Sequence, residues 1–248
     1  MAILWSQEKD GNRYEVRTAG NSVRLYRNGI FHSQYNPQQP ISGQVWDLLF
    51  LPALFLPLEN IKRVLVLGVG GGAVIKQLET FFSPKHITGV ELDATHIKIA
   101  KRFFGVRGKG VELIQADAKD WVENYNGVGF DLIIDDIFMD QDGEPVRAIE
   151  ASSDWHSALH KLLSSCGVLV MNYPSLKELK KCAYFKDQKI KKYYSASFSF
   201  SAPYNENKVA AHFRIPVEAA DFNANLANHA LLGKAQYQAK MRYKLRKM

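Results

Sequence analysis

Cysteine is scarce in this sequence, and it has no long apolar run. Only Cys166 and Cys182 occur among 248 residues, too few for a disulfide scaffold, so we expect both to be reduced thiols. The most apolar window, residues 45–58, contains Asp47 and two prolines and is too short to span a bilayer. The N-terminus lacks the basic and apolar segments of a signal peptide. We therefore expect a cytoplasmic protein without a membrane segment.

The net positive charge of the chain lies mostly near its C-terminal end. The net charge is +7, but six basic residues and no acidic residue lie between positions 234 and 248, so the rest of the chain is close to neutral. Tyr237, Met241 and Leu245 recur every four residues there, which predicts a basic amphipathic helix within a C-terminal tail of residues 218–248. Such a tail is either a solvated terminus or a contact for RNA or another acidic partner.

Turn residues divide the first part of the chain into short β-strands. The Asn28-Gly29 pair favours a two-residue hairpin turn between two runs of β-forming residues. A second turn is expected at Ala19-Gly20-Asn21. Residues 1–40 are therefore predicted to form a small β-hairpin or meander.

Strands and helices alternate regularly from residue 63 onward. Five buried strands, separated by helices, are predicted at residues 64–67, 87–91, 111–115, 131–135 and 168–172. Strict alternation implies a parallel sheet with helices on both faces. Residues 195–201 and 208–215 alternate in polarity, which predicts an antiparallel hairpin at the sheet edge. We expect residues 41–217 to form a Rossmann-like α/β domain with seven strands, made of five parallel βα units and this hairpin.

A glycine cluster and an acidic residue follow the first two strands. Gly68, Gly70 and Gly72 lie where the chain must turn sharply and where its backbone can approach a ligand. The cluster alone also fits dinucleotide-binding proteins. Glu91 ends the second strand, and an ionised carboxylate there can accept hydrogen bonds from both hydroxyls of a ribose, unless it only caps the next helix. A nucleoside with free ribose hydroxyls is therefore predicted.

More acidic residues follow the third and fourth strands. Asp117 and Ala118 end the third strand, where the acid can bind an adenine amino group or cap the following helix. Asp135 and Asp136 end the fourth strand, at the edge where open parallel sheets bind ligands. Because adjacent carboxylates repel each other, they need a cationic partner. S-adenosylmethionine supplies a sulfonium and an ammonium group, so it is the expected cofactor.

The order of these motifs resembles a known fold. Residues 64–174 contain, in order, VLVLGVGGG, GVELD, ELIQADA, FDLIIDD and GVLVMNYP. This series is similar to class I S-adenosylmethionine-dependent methyltransferases, and most similar to the spermidine synthase group. That group has an N-terminal β domain with an LYRNG-like hairpin and a glutamine, whose places Leu25–Gly29 and Gln34 fill. The resemblance implies that the ligand site is lined by Gly68, Gly70, Glu91, Asp117 and Asp136.

The sequence departs from that group where the amine substrate binds. Aminopropyltransferases of the group carry an aspartate in the glycine loop, where this chain has Gly71, and their catalytic loop reads DSSDP. Here the segment after Asp136 reads IFMD, so the second acid, Asp140, is displaced by one position. A polyamine is a polycation whose recognition needs several carboxylates, and most of them are missing. These departures therefore favour a spermidine synthase-like protein with a different acceptor.

These features give one main functional prediction and two alternatives. We expect a transferase, in the first place a methyltransferase, that uses S-adenosylmethionine on a small-molecule acceptor. The first alternative is aminopropyl transfer from decarboxylated S-adenosylmethionine to a diamine in polyamine biosynthesis. The second is a non-catalytic nucleoside- or RNA-binding module. A nicotinamide-dependent dehydrogenase is disfavoured by the closing hairpin.

Roles are assigned to residues on the same basis. Asp136 and Asp140 are the candidate catalytic residues, and Gln34 and Tyr173 are the candidate acceptor-binding residues. The predicted cofactor-binding residues are Gly68, Gly70, Gly72, Glu91, Asp117, Ala118 and Asp135. We expect no bound metal, and we expect that two copies of the chain can form a homodimer.

Overall fold

Strands dominate the architecture. In the residues that the computed structural model describes, 1–141, 143–203 and 205–248, the strands form sheets of four, two and eight members. The strands are β1 (Ala2–Lys9), β2 (Asn12–Ala19), β3 (Ser22–Arg27), β4 (Ile30–Tyr35), β5 (Arg63–Leu67), β6 (His86–Glu91), β7 (Val111–Gln115), β8 (Phe130–Asp135), β9 (Phe138–Gln141), β10 (Glu144–Arg147), β11 (Leu163–Tyr173), β12 (Ala196–Ser201), β13 (Lys208–Phe213) and β14 (Lys244–Lys247).

The helices are short. They are α1 (Val45–Phe50), α2 (Ala73–Phe81), α3 (Ala94–Phe103), α4 (Ala118–Asn124), α5 (Ser153–Leu162), α6 (Leu176–Lys181), α7 (Ala183–Lys186), α8 (Gln188–Lys191), α9 (Ala219–Asn228) and α10 (Ala235–Gln238), with two 3₁₀ segments at Leu51–Phe55 and Leu58–Asn60. Over the described ranges, none of the helices has the length and apolar character needed to cross a membrane.

The N-terminal sheet is an antiparallel meander in the order β1-β2-β3-β4. The hairpin predicted at Asn28-Gly29 is confirmed, and both residues have positive φ, 50° and 81°, as such a turn requires. β1 was not predicted, because nearly all its side chains are exposed and only Trp5 is half-buried. Backbone pairing with β2, rather than an alternating apolar pattern, defines this edge strand.

The main sheet has the predicted Rossmann-like arrangement. Its order is β14-β12-β13-β11-β8-β5-β6-β7, and the strands from β11 to β7 are parallel. Strand β5 shows why the apolar runs were informative. Val64 and Val66 belong to one buried core, whereas Leu65 and Leu67 belong to another on the opposite face. A parallel strand covered by helices on both faces reads as a continuous aliphatic run.

The C-terminal tail corrects one prediction. Over the basic stretch, α10 covers only Ala235–Gln238, and Lys244–Lys247 forms β14, which pairs antiparallel with β12. The sheet therefore has eight strands in the described part of the chain rather than seven, and the predicted amphipathic helix is wrong there. Leu245 packs against the first core while Lys244 and Arg246 are exposed, so the side chains alternate. Hydrogen bonding to the free edge of β12 outweighs helix formation in so short a segment.

The N-terminal sheet packs over the carboxyl ends of the parallel strands. The Tyr14 hydroxyl on β2 donates a hydrogen bond to Asp93 Oδ2 at 2.6 Å, just before α3. On β4, Ser33 lies so close to the glycine loop that a Cβ added at Gly71 would lie 2.8 Å from the Ser33 Cβ. The same added Cβ would lie 2.7 Å from Phe104 Cζ. These contacts enclose the space between the two sheets.

Candidate active site

A cavity of about 360 Å³ lies at the carboxyl ends of the parallel strands, between them and the N-terminal sheet. This is the crevice where open α/β sheets bind ligands. Among the described residues, its carboxylates and its guanidinium are Glu91, Asp93, Asp117, Asp136, Asp140 and Arg27. Five acids against one guanidinium give the cavity a negative potential. A cationic ligand fits such a site.

The glycine loop forms part of the cavity wall. Gly68 and Gly70 line it, as predicted, and both have positive φ. At Gly68 an added Cβ would overlap the backbone carbonyl oxygen of Asp136, so glycine is required there by packing against the end of β8. Gly72 does not line the cavity. It begins α2 with φ of 82°, and its added Cβ would lie 2.5 Å from Val106 Cγ2, which makes its role structural.

Glu91 faces the cavity and also holds the glycine loop. Its Oε2 accepts the backbone N–H groups of Val69 and Gly70, and its Oε1 accepts that of Asp93, each at 2.9 Å. Burial alone would raise the pKa of Glu91. The neighbouring His96, whose Nδ1 lies 3.7 Å from Oε1, and the backbone hydrogen bonds outweigh burial and hold this pKa below its usual value. The ionised carboxylate keeps lone pairs for a ribose hydroxyl.

Asp117 and Ala118 line the cavity at the end of β7. The Asp117 side chain also caps α4, since its Oδ1 accepts the backbone N–H groups of Lys119 at 2.7 Å and Asp120 at 3.2 Å. Asp117 can therefore cap α4 and bind an adenine amino group at the same time. Both capping bonds end on Oδ1, and Oδ2 can still accept a hydrogen bond from a ligand.

Asp135 lies in the core, not in the cavity. Its Oδ2 accepts hydrogen bonds from Arg147 Nη2 at 2.6 Å and from Trp155 Nε1 at 2.9 Å, and the side chain is fully buried. The cation that this carboxylate needs is therefore supplied by β10. The prediction that Asp135 contacts the cofactor is corrected accordingly, because adjacent residues at the end of β8 face different environments.

Asp136 is the residue of the acidic pair that lines the cavity. Its Oδ1 accepts a hydrogen bond from Asn172 Nδ2 at 2.7 Å, and Asn172 Oδ1 accepts one from Asn207 Nδ2 at 3.0 Å. Burial raises the pKa of Asp136 to about 7, the nearby charges of Asp135 and Glu91 add to the increase, and the Asn172 hydrogen bond opposes it. A bound cation would lower this pKa again.

The other predicted catalytic residue, Asp140, lies on β9 and lines the cavity. It is exposed, and its Oδ1 accepts the backbone N–H of Gly143 at 2.8 Å. The structure therefore brings both candidate catalytic carboxylates to one cavity, with Asp136 half-buried and Asp140 open to water.

The two predicted acceptor-binding residues do not line the cavity. Gln34 Oε1 accepts a hydrogen bond from Arg24 Nε at 2.7 Å within the N-terminal sheet. Tyr173 is buried in the second core, where its hydroxyl contacts Met171 Sδ. The residue before it, Asn172, reaches the cavity instead. Alternation along β11 therefore places the amide, not the phenol, in the site.

His32 is a lining residue that the sequence did not reveal. β4 pairs Phe31 with Tyr26 and Ser33 with Leu25, so His32 is the extra residue of a β-bulge. Bulges of this kind redirect side chains near active sites. Burial lowers the pKa of His32 to about 4, and the nearby His96 adds to the decrease, so the imidazole is neutral at pH 7.

Two further residues that line the cavity lie in motifs that the sequence analysis identified. Asp93 belongs to the GVELD motif, in which only Glu91 was assigned, and it caps α3 through its bond to the backbone N–H of Thr95 at 2.7 Å. Burial alone would raise the pKa of Asp93, but the Tyr14 hydrogen bond and His96 hold it below its usual value. Asn172 is the last residue of the fifth predicted strand, and the next residue, Tyr173, was chosen instead.

Comparisons with known sequences agree with this geometry. A family model described as the spermine/spermidine synthase domain matches residues 47–205. Polyamine aminopropyltransferase 2 of Caldanaerobacter subterraneus subsp. tengcongensis is 29% identical over 128 residues, which are 50% of this chain and 42% of that protein. A probable polyamine aminopropyl transferase of Bifidobacterium longum is 24% identical over 173 residues, 68% of this chain and 37% of that protein. The chain thus spans about two fifths of the length of these curated relatives.

Solved structures confirm the predicted fold. A probable spermidine synthase from Corynebacterium glutamicum superposes with a TM-score of 0.76 at 15% identity, covering 100% of this chain and 91% of that one. A spermidine synthase in complex with the transition state analogue AdoDATO gives 0.68 at 15% identity, with coverages of 92% and 78%. Human methyltransferase-like protein 13 in complex with SAH gives 0.63 at 17% identity, with coverages of 77% and 92%. The family match and the sequence relatives favour the aminopropyltransferase alternative over the expected methyltransferase.

Proposed function

Because this chain belongs to the spermine/spermidine synthase family, we propose that it transfers an aminopropyl group from decarboxylated S-adenosylmethionine to an amine. The main observation that supports this proposal is the negative charge of the cavity. The donor has a sulfonium and an ammonium group and lacks a carboxylate, which matches a lining of five acids and one guanidinium in the described residues. S-adenosylmethionine itself would bring a carboxylate into this acidic site, where like charges repel.

Three parts of the cavity suit the adenosyl end of the donor. Glu91 keeps lone pairs for the ribose hydroxyls after it has bound the loop amides. Asp117 and Ala118 line the cavity beside it, at the end of the neighbouring strand β7, and would contact the adenine. Gly68 and Gly70 expose backbone along the wall that joins these positions to Asp136.

Asp136 is the residue that we assign to proton transfer. The donor supplies a carbon activated by the sulfonium, and an amine can attack it only as the free base. The C–N bond forms as the C–S bond breaks, the electron pair of the broken bond stays on sulfur, and the amine's proton goes to Asp136. Without a bound cation the pKa of Asp136 is about 7, above the usual aspartate value, which marks this carboxylate as the better proton acceptor of the site, and Asn172 fixes the orientation of the carboxylate.

The test compares Asp136→Asn with Asp154→Asn, a control whose exposed carboxylate lies on α5, outside the cavity lining. Release of methylthioadenosine from the decarboxylated donor is followed by chromatography with pentylamine or putrescine as acceptor. We expect kcat to fall about 10²- to 10⁴-fold in Asp136→Asn, with the control close to wild type. Equal turnover in the two variants would exclude the assigned role. Methyl transfer from S-adenosylmethionine, with no turnover of the decarboxylated donor, would restore the first functional prediction.

A further inference from the structure

The three short helices after β11, α6 to α8, carry a high positive charge. Residues 176–192 contain seven lysines and two acids, Glu178 and Asp187, and all seven lysine side chains are exposed. Glu178 forms an ion pair with Lys181 at 2.8 Å, and Asp187 accepts a hydrogen bond from Ser153 Oγ at 2.6 Å. Both carboxylates stay negative in these contacts, so the segment keeps a net charge of +5.

These helices pack on one face of the main sheet. Leu179 of α6, Tyr184 of α7 and Ile190 of α8 all belong to the second core. The centroid of the Tyr184 ring lies 4.6 Å from that of the His212 ring, so α7 covers part of β13. The exposed lysines therefore border this face of the sheet, next to β13 and its neighbour β12.

Strand β14 adds two cations to the same face. Residues directly opposite each other in an antiparallel pair have side chains on one face, and Ser199 of β12 lies opposite both Ala210 and Arg246. Ala210 belongs to the second core, so the Arg246 side chain lies on that face too. Lys244 shares it, because side chains two positions apart in a strand point the same way. Both cations are exposed, and Met248, at the next such position, packs against the second core.

The two basic segments meet where α8 leads into β12. The backbone N–H of Met248 donates a hydrogen bond to the Ser197 carbonyl oxygen at 2.9 Å, and Lys192 lies shortly before Ser197 in the chain. Segments that are far apart in the sequence therefore form one surface. We call it the basic surface, and it consists of the seven exposed lysines of residues 176–192 with Lys244 and Arg246.

Negative charge borders the basic surface at its other end. Asp187 caps the first turn of α8 and bonds Ser153, so the exposed Asp154 of α5 also lies near that end of the helix. Because these carboxylates repel anions, the part of the surface beside β12 and β14 attracts an anionic ligand most strongly.

Strand β12 places hydroxyl groups beside the cations of β14. Ser199 lies opposite Arg246, Ser201 lies opposite Lys244, and both serines are partly exposed. Each pair combines a cation with a hydroxyl donor, which are the common partners of phosphate oxygens in nucleic acids. The two pairs are about 6.5–7 Å apart along the strand. This repeat is close to the spacing of successive phosphates in an extended single strand.

We propose that the basic surface binds single-stranded RNA through its phosphate backbone, without sequence preference. The serine hydroxyls favour RNA over DNA, because a hydroxyl that donates to a phosphate can also accept a hydrogen bond from a 2′-hydroxyl. Phe185 on α7 is 43% exposed and offers a ring on which a base can stack. The inference goes beyond the proposed function, since the basic surface lies outside the cavity lining in the described part of the chain.

The wild-type chain is tested first by fluorescence anisotropy, with a labelled oligouridylate of about 15 nucleotides as the probe. We expect a Kd of about 10⁻⁴ M or smaller at physiological salt, and log Kd that rises linearly with the logarithm of the salt concentration. No binding overturns the inference, and tighter binding of the matching oligothymidylate overturns the assignment to RNA. Sedimentation with vesicles of phosphatidylserine and phosphatidylcholine, without binding of the oligouridylate, also overturns it and assigns the surface to a membrane.

A double variant locates the RNA on β14. Lys244→Gln combined with Arg246→Gln removes two phosphate contacts, and we expect Kd to increase at least about fivefold and the salt slope to fall by about 1.4. The control combines Lys98→Gln with Lys101→Gln, which removes the same charge from exposed positions of α3, a helix that packs on the first core. Equal effects of the two double variants contradict the inference, because they would show attraction by net charge alone.

A second double variant tests whether the two segments act as one surface. Lys189→Gln combined with Lys192→Gln removes two exposed cations from the segment of α8, and we expect a weakening of RNA binding similar to that of the β14 variant. Loss of binding in only one of the two variants overturns the joint surface. Circular dichroism checks folding, and the α8 variant against the same α3 control decides the inference if the β14 variant does not fold.

Discussion

Asp135 and Asp136 are adjacent in sequence and differ completely in environment. Asp135 is paired with Arg147 in the core, whereas Asp136 lines the cavity beside Asn172. The sequence predicted that two carboxylates at a strand end need a cation. It could not predict that Arg147 supplies it for one of them, because β9 and β10 must first fold back to bring that guanidinium to the end of β8.

The pH dependence of stability tests the environment of Asp136. Its pKa is about 7 in the folded protein, against an ordinary aspartate pKa of 3.8. Between these values the folded state binds more protons than the unfolded state, so this group lowers the free energy of unfolding as pH rises from about 4 to about 7. The contribution is fully present at low pH and is lost through that window.

Urea unfolding of wild type and Asp136→Asn at pH 5 and pH 8 isolates this contribution. We expect wild type to lose roughly 2 kcal/mol more than the variant over this range, after allowing for the part of the side chain that water reaches. Equal changes in the two proteins would show that the Asp136 carboxyl is ionised throughout, as in an exposed aspartate.

Single elements were predictable where both faces or alternate faces are buried. β5, β8 and the central part of β11 are apolar runs, and the residues of β12 and β13 alternate in polarity although most of them are buried, so the positions of these strands followed from the sequence. β1 and β14 are edge strands with mostly exposed side chains, and their conformation depends on a partner strand. In the tail, apolar residues recur every four residues, which is typical of a helix face. The pairing of β14 with β12 leaves no local pattern in the sequence, so the strand was not predicted.

Deleting residues 244–248 tests the role of β14. The deletion exposes the edge of β12, and we expect hydrogen exchange of the β12 amides to accelerate by at least about tenfold, with β5 amides unchanged. The control is Arg246→Gln, which removes an exposed charge and keeps the strand. Unchanged exchange after the deletion would show that the pairing of β14 with β12 does not persist in solution. Binding of RNA or another acidic partner by the exposed Lys244 and Arg246 stays a prediction, as does the homodimer.

At the scale of the whole molecule, the candidate site lies between two sheets that are formed by separate segments of the sequence. The glycine loop, Glu91 and Asp136 belong to the α/β domain and were predicted from their places after the parallel strands. The contribution of the N-terminal sheet was predicted only through Gln34, which faces Arg24 instead. The β-bulge at His32 changes which residues of β4 reach the cavity, and a bulge leaves no reliable pattern in one sequence.

Calorimetric titration of the wild-type protein with decarboxylated S-adenosylmethionine and with S-adenosylmethionine tests the central claim most directly. That claim is that the acidic cavity between the two sheets binds an adenosyl sulfonium donor that lacks a carboxylate. We expect the decarboxylated donor to bind with a Kd at least about tenfold smaller, because the carboxylate of the other compound would lie in a cavity rich in acids. Equal or tighter binding of S-adenosylmethionine, or no binding of either compound, would contradict the account.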